Sequence, residues 1–312
     1  MRHSSYCHHL LIVILLNVIA SNHSFIFQKP HIKNHLHQPH RQHNTVVAAS
    51  REICSFEKSD FAMPTGEWPY TQSDMNRLDG TDDTNFYAEP RFVTHIDDRA
   101  IESLTTFYKD EIEEHIASSN SNSSINVLDL CSSWISHFPE DVQLGRVAGI
   151  GMNAEELKAN TRLTEHLCQD LNKDTVLPFE DGCFDFVCNV VSVDYLTNPL
   201  MIFQEMHRVL KPGGKALVSF SNRCFATKAI AMWLQADDID RLTIVASYYH
   251  YSANWKSIQA LDITPPQIET PKRPGMVDIM KDPNAAFSWA ATAAAVSKAN
   301  NGDPMFVVKA IK

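Results

Sequence analysis

From about residue 98 onward, apolar and polar positions fall into two alternating rhythms. Ile101, Leu104, Tyr108 and Ile112 recur every three or four residues behind Asp97 or Asp98. That spacing predicts a helix from Asp98 to about Ile116, ended by the Asn/Ser run SSNSNSS. Apolar runs of strand length follow: INVLDL (125–130), RVAGIG (146–151), the weaker HLCQD (166–170), FDFVCNVVSV (184–193) and KALVSF (215–220). Between them NAEELKAN opens with an Asn cap and acids in its first turn, as a helix start does. NPLMIFQEMHRVLKPGG puts Phe203, Met206 and Leu210 on one face and is expected to stop at Pro212-Gly213-Gly214. FATKAIAMWLQAD reads as helical, a weak strand is expected near Ile258 to Ile263, and MFVVKAI closes the series as a strand. Strands alternating with helices predict an α/β fold with a mostly parallel sheet. Residues 51 to about 85 carry neither rhythm and read as a loosely ordered lead-in.

The first fifty residues stand apart. They hold Arg2, Lys29, Lys33 and Arg41 and no acid, and LLIVILLNVIA (10–20) has the length of a signal-peptide core, too short to span a bilayer. A basic, His-rich stretch follows, with an aromatic, Phe25, near its start. A secretory core followed by a transit-like segment resembles the bipartite leaders of algae with complex plastids, which implies a cleaved leader over 1–50 and a plastid destination. A plain secretory signal or an uncleaved anchor is the alternative. The division expected is therefore leader (1–50), lead-in and helix with a possible lid role (51–118), and main domain (119–312).

Composition narrows the function classes. The net charge is −10, and without residues 1–50 it is near −14, with 23 basic against 37 acidic residues. That balance points away from nucleic acid. No Cys-x-x-Cys spacing suggests a metal site. The seven cysteines form no visible disulfide framework. Cys131, Cys168, Cys183, Cys188 and Cys224 lie in or beside apolar runs and read as buried thiols in a reducing compartment. No stable membrane insertion of the mature chain is expected, and oligomeric state is not readable.

One stretch, VLDLCSSWIS (127–136), poses a chemical question. An apolar strand ends in Asp129 and enters a tight turn, the usual entry to a nucleotide-cofactor site, where glycines let the backbone approach a ligand closely. Here the turn is Cys131-Ser132-Ser133-Trp134-Ile135, without glycine. Cysteine and serine are small enough to turn closely if φ stays negative.

The region from about Ile125 to Lys312 resembles class I S-adenosylmethionine-dependent methyltransferases of the type 11 group. The resemblance rests on LPFEDGCFDFV (177–187) followed by EMHRVLKPGG (205–214), with DPMFVVKAIK as an antiparallel last strand. FYAEPRFVTHIDDRAI (86–101) and SFSNRCFATKAI (219–230) are similar to an algal and plant subgroup whose first motif is itself glycine-poor. The resemblance implies a Rossmann-like seven-stranded sheet, helices on both faces, S-adenosylmethionine as cofactor and a small-molecule substrate. In the first motif Asp129 is kept, and the glycine positions become Cys131, Ser133 and Ile135. Ser132 and Ser133 hydroxyls and backbone N–H groups are the candidates for the cofactor's carboxylate. The second motif's ribose-binding acid is replaced by Gly151, leaving Met152 and Asn153, the latter a candidate hydrogen-bond partner for a ribose hydroxyl. Asp170 matches the acid that accepts from the adenine amino group, with Leu171 beside it. Asn189 through Tyr195 match the wall of the methyl-transfer pocket.

Asp194 and Tyr195 are accordingly candidate catalytic or orienting groups, although Asp194 serves equally as a cap for the next helix. His95 and Arg91 are candidates for a lid, or for a surface lead-in with local salt bridges. His137 reads as structural and Trp134 as core. Asn222, Arg223 and Lys228 either recognise an anionic substrate or cap a helix. A non-catalytic protein of the same fold, binding a metabolite or a protein partner, remains the second reading. A dinucleotide-dependent oxidoreductase is the third, weakened by the missing Gly-x-Gly-x-x-Gly turn and ribose acid.

Overall fold

The computed structural model describes residues 50–61, 67–118, 124–282 and 284–312. By internal contacts the chain divides into Met1–Pro39 and His40–Lys312, and every described residue belongs to the second unit. The leader expected over 1–50, Phe25 included, lies outside the described residues apart from Ser50.

In chain order the elements are β1 (Arg51–Phe56), α1 (Asp83–Phe86), α2 (Asp98–Ser118), β2 (Val127–Leu130), β3 (Val147–Gly151), α3 (Ala154–Ala159), β4 (Glu165–Cys168), β5 (Phe184–Val190), α4 (Pro199–Val209), β6 (Leu210–Phe220), α5 (Ala231–Gln235), α6 (Asp238–Ser252), β7 (Ser257–Asp262), α7 (Met276–Lys281), α8 (Ala285–Asn300) and β8 (Phe306–Ile311). The strands form one sheet in the order β1-β7-β8-β6-β5-β2-β3-β4. β2 through β6 pair in parallel, β8 is antiparallel to both β6 and β7, and β1 is antiparallel to β7. This is the Rossmann-like α/β sheet expected, with its reversed last strand.

The count differs by one. The sheet has eight strands rather than seven, because REICSF in the supposed lead-in adds β1 at the edge. The rest of that lead-in is anchored too: Phe56, Phe61, Tyr70 and Met75 are buried in the core. A single short strand on an edge has no period long enough to stand out in sequence.

Alternation along each strand builds two cores. Leu128 and Leu130 of β2 face a layer made by Ile202, Phe203 and Met206 of α4 with Leu242, Val245 and Tyr249 of α6. Val127, Val147 and Phe186 face Ala100, Leu104, Phe107 and Ile112 of α2. Asp97 caps α2 by accepting the Ala100 N–H at 2.9 Å, as the sequence suggested. FATKAIAMWLQAD is helical only over α5, because residues 226–229 form a turn and Ile230 pairs in an isolated antiparallel bridge with Arg77 instead. The following helix α6 opens on a reciprocal cap between Asp237 and Asp240. β4 is an exposed edge strand, so Cys168 is exposed rather than buried. Cys188 is buried, and Cys131, Cys183 and Cys224 are half-buried.

Two features shape the site. The connection from β2 to β3, residues 131–146, contains no helix, so no helix N-terminus follows the first strand. β2 also lies between β3 and β5, where the chain reverses its direction of travel across the sheet. Such a switch point opens a crevice beyond the strands' carboxyl ends. Elsewhere, 264–302 forms an insert between β7 and β8 whose two helices bury nothing, with Phe287, Met276 and Met280 exposed. No described helix is long and apolar enough to cross a membrane.

Candidate functional site

At that switch point lies a cavity of about 380 Å3. Its walls come from the ends of β2, β3, β4 and β5, from the loop at 223–225, and from the segment 83–96, which runs over it as a strap. Asp129, Cys131, Ser132, Ser133, Gly151, Met152, Asn153, Asp170, Leu171 and Tyr195 all line it, as do Arg91, His95, His137 and Arg223.

The glycine-free turn reaches this position by two devices. Cys131 takes φ +57°, the left-handed conformation, against the negative φ expected. That costs an L-residue roughly 1–2 kcal/mol. Val191, which lines the opposite wall, takes φ +41°. Positive φ is rare for a β-branched residue, and such strain collects at functional sites. The second device is side-chain stitching. Ser132 and Ser136 each donate to Asp129 at 2.7 Å, and Asn160 donates to the Ser133 carbonyl and to Ser136 Oγ, each at 2.9 Å. Ser133 donates to Glu156 at 2.5 Å. Burial pushes the Asp129 carboxyl up to about 6 while its two serine donors pull it down. Desolvation pushes the Cys131 thiol up to about 12, so it is a packing group, not a nucleophile.

Gly151 explains why no acid ends β3. A Cβ there would lie 2.1 Å from the Ser132 carbonyl oxygen, and Ser132 N–H donates back to Ile150 at 2.7 Å. The close backbone approach has moved from the first motif to the second. Asn153 does not stand in for the lost acid. Its side-chain oxygen caps α3 through the Glu155 and Glu156 N–H groups, and its amide donates to the Tyr87 carbonyl at 3.0 Å. Its hydrogen-bonding capacity goes to the helix and the strap, leaving no strong group for a ribose.

Asp170 sits at the far end of the cavity beside buried Leu171. One carboxylate oxygen accepts the Asn172 N–H at 3.0 Å, and the other is 3.9 Å from Lys173. It retains lone pairs for a ligand donor.

Two expected site residues fall elsewhere. Asn189 is buried behind the wall, where its amide donates to the Leu130 carbonyl at 3.3 Å and supports the end of β2. Asp194 is 2 % exposed and does not line the cavity. One of its carboxyl oxygens has no hydrogen-bond partner among the described residues, and burial pushes the group up to about 8. It is neutral at pH 7 and turned away from any substrate. It does not cap α4 either, whose first flanking residue is Asn198. Tyr195 does face the cavity. Its hydroxyl accepts the Phe225 N–H at 2.8 Å, and burial raises its pKa far above the ordinary range, so it can donate a hydrogen bond but not serve as a base.

His137, read as structural, lines the cavity with a buried Nδ1 that has no partner among the described residues. Burial holds it at about 4, hence neutral, and His95 is lowered for the same reason. Arg91 stacks over Phe86 at 4.2 Å and sits 5.5 Å from the Phe225 ring. No carboxylate pairs with its guanidinium among the described residues. Trp134 is neither core nor cavity wall: its Nε1 donates to the Val93 carbonyl at 3.0 Å and its ring meets Phe92 edge-on, pinning the strap from outside. Arg223 pairs with Asp303 at 2.5 Å at the mouth. Lys228 is buried between Asp79 and Asp83, away from the cavity, and Asn222 is exposed.

Sequence reasoning missed Glu156, Asp83, Asn172, Tyr87 and Phe225. Asn172 bridges the strap to the Asp170 loop, donating to Asp83 and to the Tyr195 carbonyl, each at 3.0 Å. Lys173 adds a contact to Asp82. Glu156 had a legible signal: it follows Asn153 by three residues, which puts both on one face of α3. Its place in the first turn of a helix hid that behind an ordinary capping reading.

Comparison with known proteins adds to this geometry. Residues 131–218 match the family model of a methyltransferase domain. Over 110 residues the chain is 26 % identical to malonyl-[acyl-carrier protein] O-methyltransferase of Marinomonas sp., covering 35 % of this chain and 38 % of that protein. Over 109 residues it is 32 % identical to demethylmenaquinone methyltransferase of Staphylococcus epidermidis, covering 32 % and 45 %. The chain thus spans less than half the length of these curated relatives. Among solved structures, phosphoethanolamine N-methyltransferase 2 of Haemonchus contortus, in complex with S-adenosyl-L-methionine, aligns over 74 % of this chain and 60 % of that one at 13 % identity and a TM-score of 0.41. That likeness adds nothing to the topology already described.

Proposed function

We propose that this chain is an S-adenosylmethionine-dependent methyltransferase acting on a small molecule. The observation that carries the reading is the cavity at the β2/β5 switch point, lined by nine of the ten cofactor positions that the motif match names. The matched domain at 131–218 and relatives named as methyltransferases support it, and weigh against a non-catalytic binder.

The donor set fits the cofactor. Asp170 has lone pairs for an exocyclic amino group, and Leu171 offers an apolar surface for a purine. Gly151 and Met152 bring backbone close to where a ribose would lie. The turn at 131–133 and the Arg91 guanidinium line the cavity and would hold the cofactor's carboxylate. The bound cofactor supplies an electrophilic methyl group. The chain's own work is to position an acceptor, exclude water and take up a proton where the acceptor carries one. Tyr87, Tyr195 and Phe225 offer flat apolar walls for that acceptor. His95 and His137, both neutral at pH 7, are the bases facing it.

Calorimetric titration of the full chain with S-adenosylmethionine tests the reading. Binding with a measurable heat, and a rise in melting temperature, are expected. No heat and no thermal shift at millimolar cofactor would reject it in favour of the non-catalytic binder.

The leader supports a further proposal, delivery to a complex plastid. A fluorescent fusion of residues 1–50 should enter the plastid of such an alga, and secretion to the medium would count against it.

A further inference from the structure

Glu156 is a buried acidic residue, 8 % exposed, and belongs to none of the motifs that identify the site. Its two carboxylate oxygens reach two different parts of the molecule. Oε2 accepts the Ser133 hydroxyl at 2.5 Å, on the turn after β2. Oε1 accepts the Arg91 backbone N–H at 2.7 Å, on the strap. The residue itself stands in the first turn of α3, held there by the Asn153 cap at 3.1 Å. Asn153 in turn donates to the Tyr87 carbonyl. No helix follows β2 to fix the turn, and the strap at Arg91 is not part of a helix or strand, so each bond acts on backbone that no regular element holds.

We propose that Glu156 is a positioning residue that latches the strap to the cofactor turn, so that ordering of the turn and closure of the strap are one event. The cofactor would then meet a turn already in place and a strap already over it. The inference rests on the proposed cofactor reading only for its effect on affinity; the latch itself exists without ligand.

The alternative is that the Glu156 carboxylate binds ligand directly, in place of the missing ribose acid. Substitutions separate the two. In Glu156→Gln the amide oxygen can still accept from Arg91 N–H, and the amide NH2 can donate to Ser133 Oγ, because a hydroxyl reverses its role. A latch therefore survives that change, whereas a charged ligand contact does not. Glu156→Ala removes both bonds.

The experiment measures three things on the full chain. Amide exchange without ligand reports the Arg91 N–H; it should quicken at least tenfold in Glu156→Ala and stay within about threefold of wild type in Glu156→Gln. Fluorescence compared with and without Trp134→Phe reports the strap from outside, and should shift in Glu156→Ala only. Titration with S-adenosylmethionine should show affinity at least about tenfold weaker for Glu156→Ala, the scale of lost hydrogen bonds to a charged group, and near wild type for Glu156→Gln. Ser133→Ala, at a half-exposed position with little core to disturb, removes only the turn side of the latch; it should lose part of the affinity and quicken Arg91 exchange severalfold, less than Glu156→Ala does, and unchanged Arg91 exchange there would overturn the coupling should Glu156→Ala fail to fold. Unchanged exchange at Arg91 in Glu156→Ala overturns the latch. Affinity lost equally in Gln and Ala, with exchange normal in Gln, overturns it in favour of direct ligand contact. Exchange as expected with no cofactor binding in wild type leaves the latch standing and sinks the cofactor reading instead.

Discussion

The two turns at the floor of the cavity solve one problem in opposite ways. At the end of β3, Gly151 lets the backbone of the neighbouring turn come within 2.1 Å of where a Cβ would be. After β2, Cys131, Ser132 and Ser133 make a comparably close turn without glycine, one residue in the left-handed region and three serine hydroxyls, including that of Ser136, bonded to buried carboxylates. The difference teaches where glycine is indispensable. When backbone meets backbone, no side chain can give way. When the turn is held by donors of its own, a small polar side chain can replace the missing glycine at the cost of local strain.

The largest effect should come from filling the glycine side. Gly151→Ala drives a methyl group into the Ser132 carbonyl, whose residue is tied to β3 by its N–H bond to the Ile150 carbonyl at 2.7 Å. Overpacking of this kind costs about 3 kcal/mol at the upper end. Urea unfolding should show a loss of that size, and cofactor binding should fall below detection because the turn moves. Wild-type stability and binding in the variant would mean the two turns do not press on each other.

Next in size is a change that spares both turns. Asp170→Ala should weaken S-adenosylmethionine binding by roughly 1.5–3 kcal/mol, the worth of a hydrogen bond to a charged acceptor, with the fold intact. Unchanged affinity would place the purine elsewhere.

Two buried carboxyls sharpen the comparison at the side-chain level. Asp129 is answered by two hydroxyls and stands at about 6; Asp194 has an unanswered oxygen and stands at about 8. Both lie above the ordinary carboxylate value near 3.9, so in each case the native state holds its proton longer than the unfolded chain. Each group's stabilising contribution is therefore complete below pH 4 and is lost as pH rises, through about 6 for Asp129 and about 8 for Asp194. Replacing Ser132 and Ser136 by Ala should push Asp129 toward the Asp194 value and cost about 1 kcal/mol per hydroxyl at neutral pH, read from unfolding curves between pH 4 and 8. Asp194→Asn should gain stability relative to wild type as pH rises over the same range. A flat difference would mean that Asp194 finds a partner.

Much of this could be read from the sequence, and the failures have physical causes. Long periodic elements such as α2, β5 and α4 were legible because burial imposes their rhythm. β1 was not, since six residues on an exposed edge carry no periodic demand. α7 and α8 were missed because their helices bury nothing, so no apolar stripe marks them. At the site, Asp129 and Asp170 were legible because they close strands. Asn189 was misplaced because it lies within β5 and is buried against the end of β2, and Asp194 because the short helical turn after the strand buries it. Glu156 was missed because its role is tertiary: both its partners lie more than twenty residues away. That Asn153 could serve a ribose failed for the same reason, since its amide is taken by a strap 65 residues upstream.

The smallest effect tests the strain itself. Cys131 at φ +57° pays roughly 1–2 kcal/mol for a conformation that glycine adopts freely. Cys131→Gly removes that cost but adds flexibility to the unfolded chain, which takes back about 0.5–1 kcal/mol. It also removes a thiol packed against the core. The net change expected is small, a gain of about 0.5 kcal/mol in urea unfolding. Cofactor affinity should stay within about twofold of wild type, because Ser132, Ser133 and their carboxylate partners still hold the turn. If the side-chain stitching were idle and the turn relied on stiffness at position 131, glycine would loosen it and affinity would drop severalfold while stability rose. If the thiol's packing dominated, stability would fall with affinity unchanged. Only a small gain in stability at constant affinity fits a turn whose shape is set by serines and buried carboxylates, with the strain at Cys131 as its residual cost.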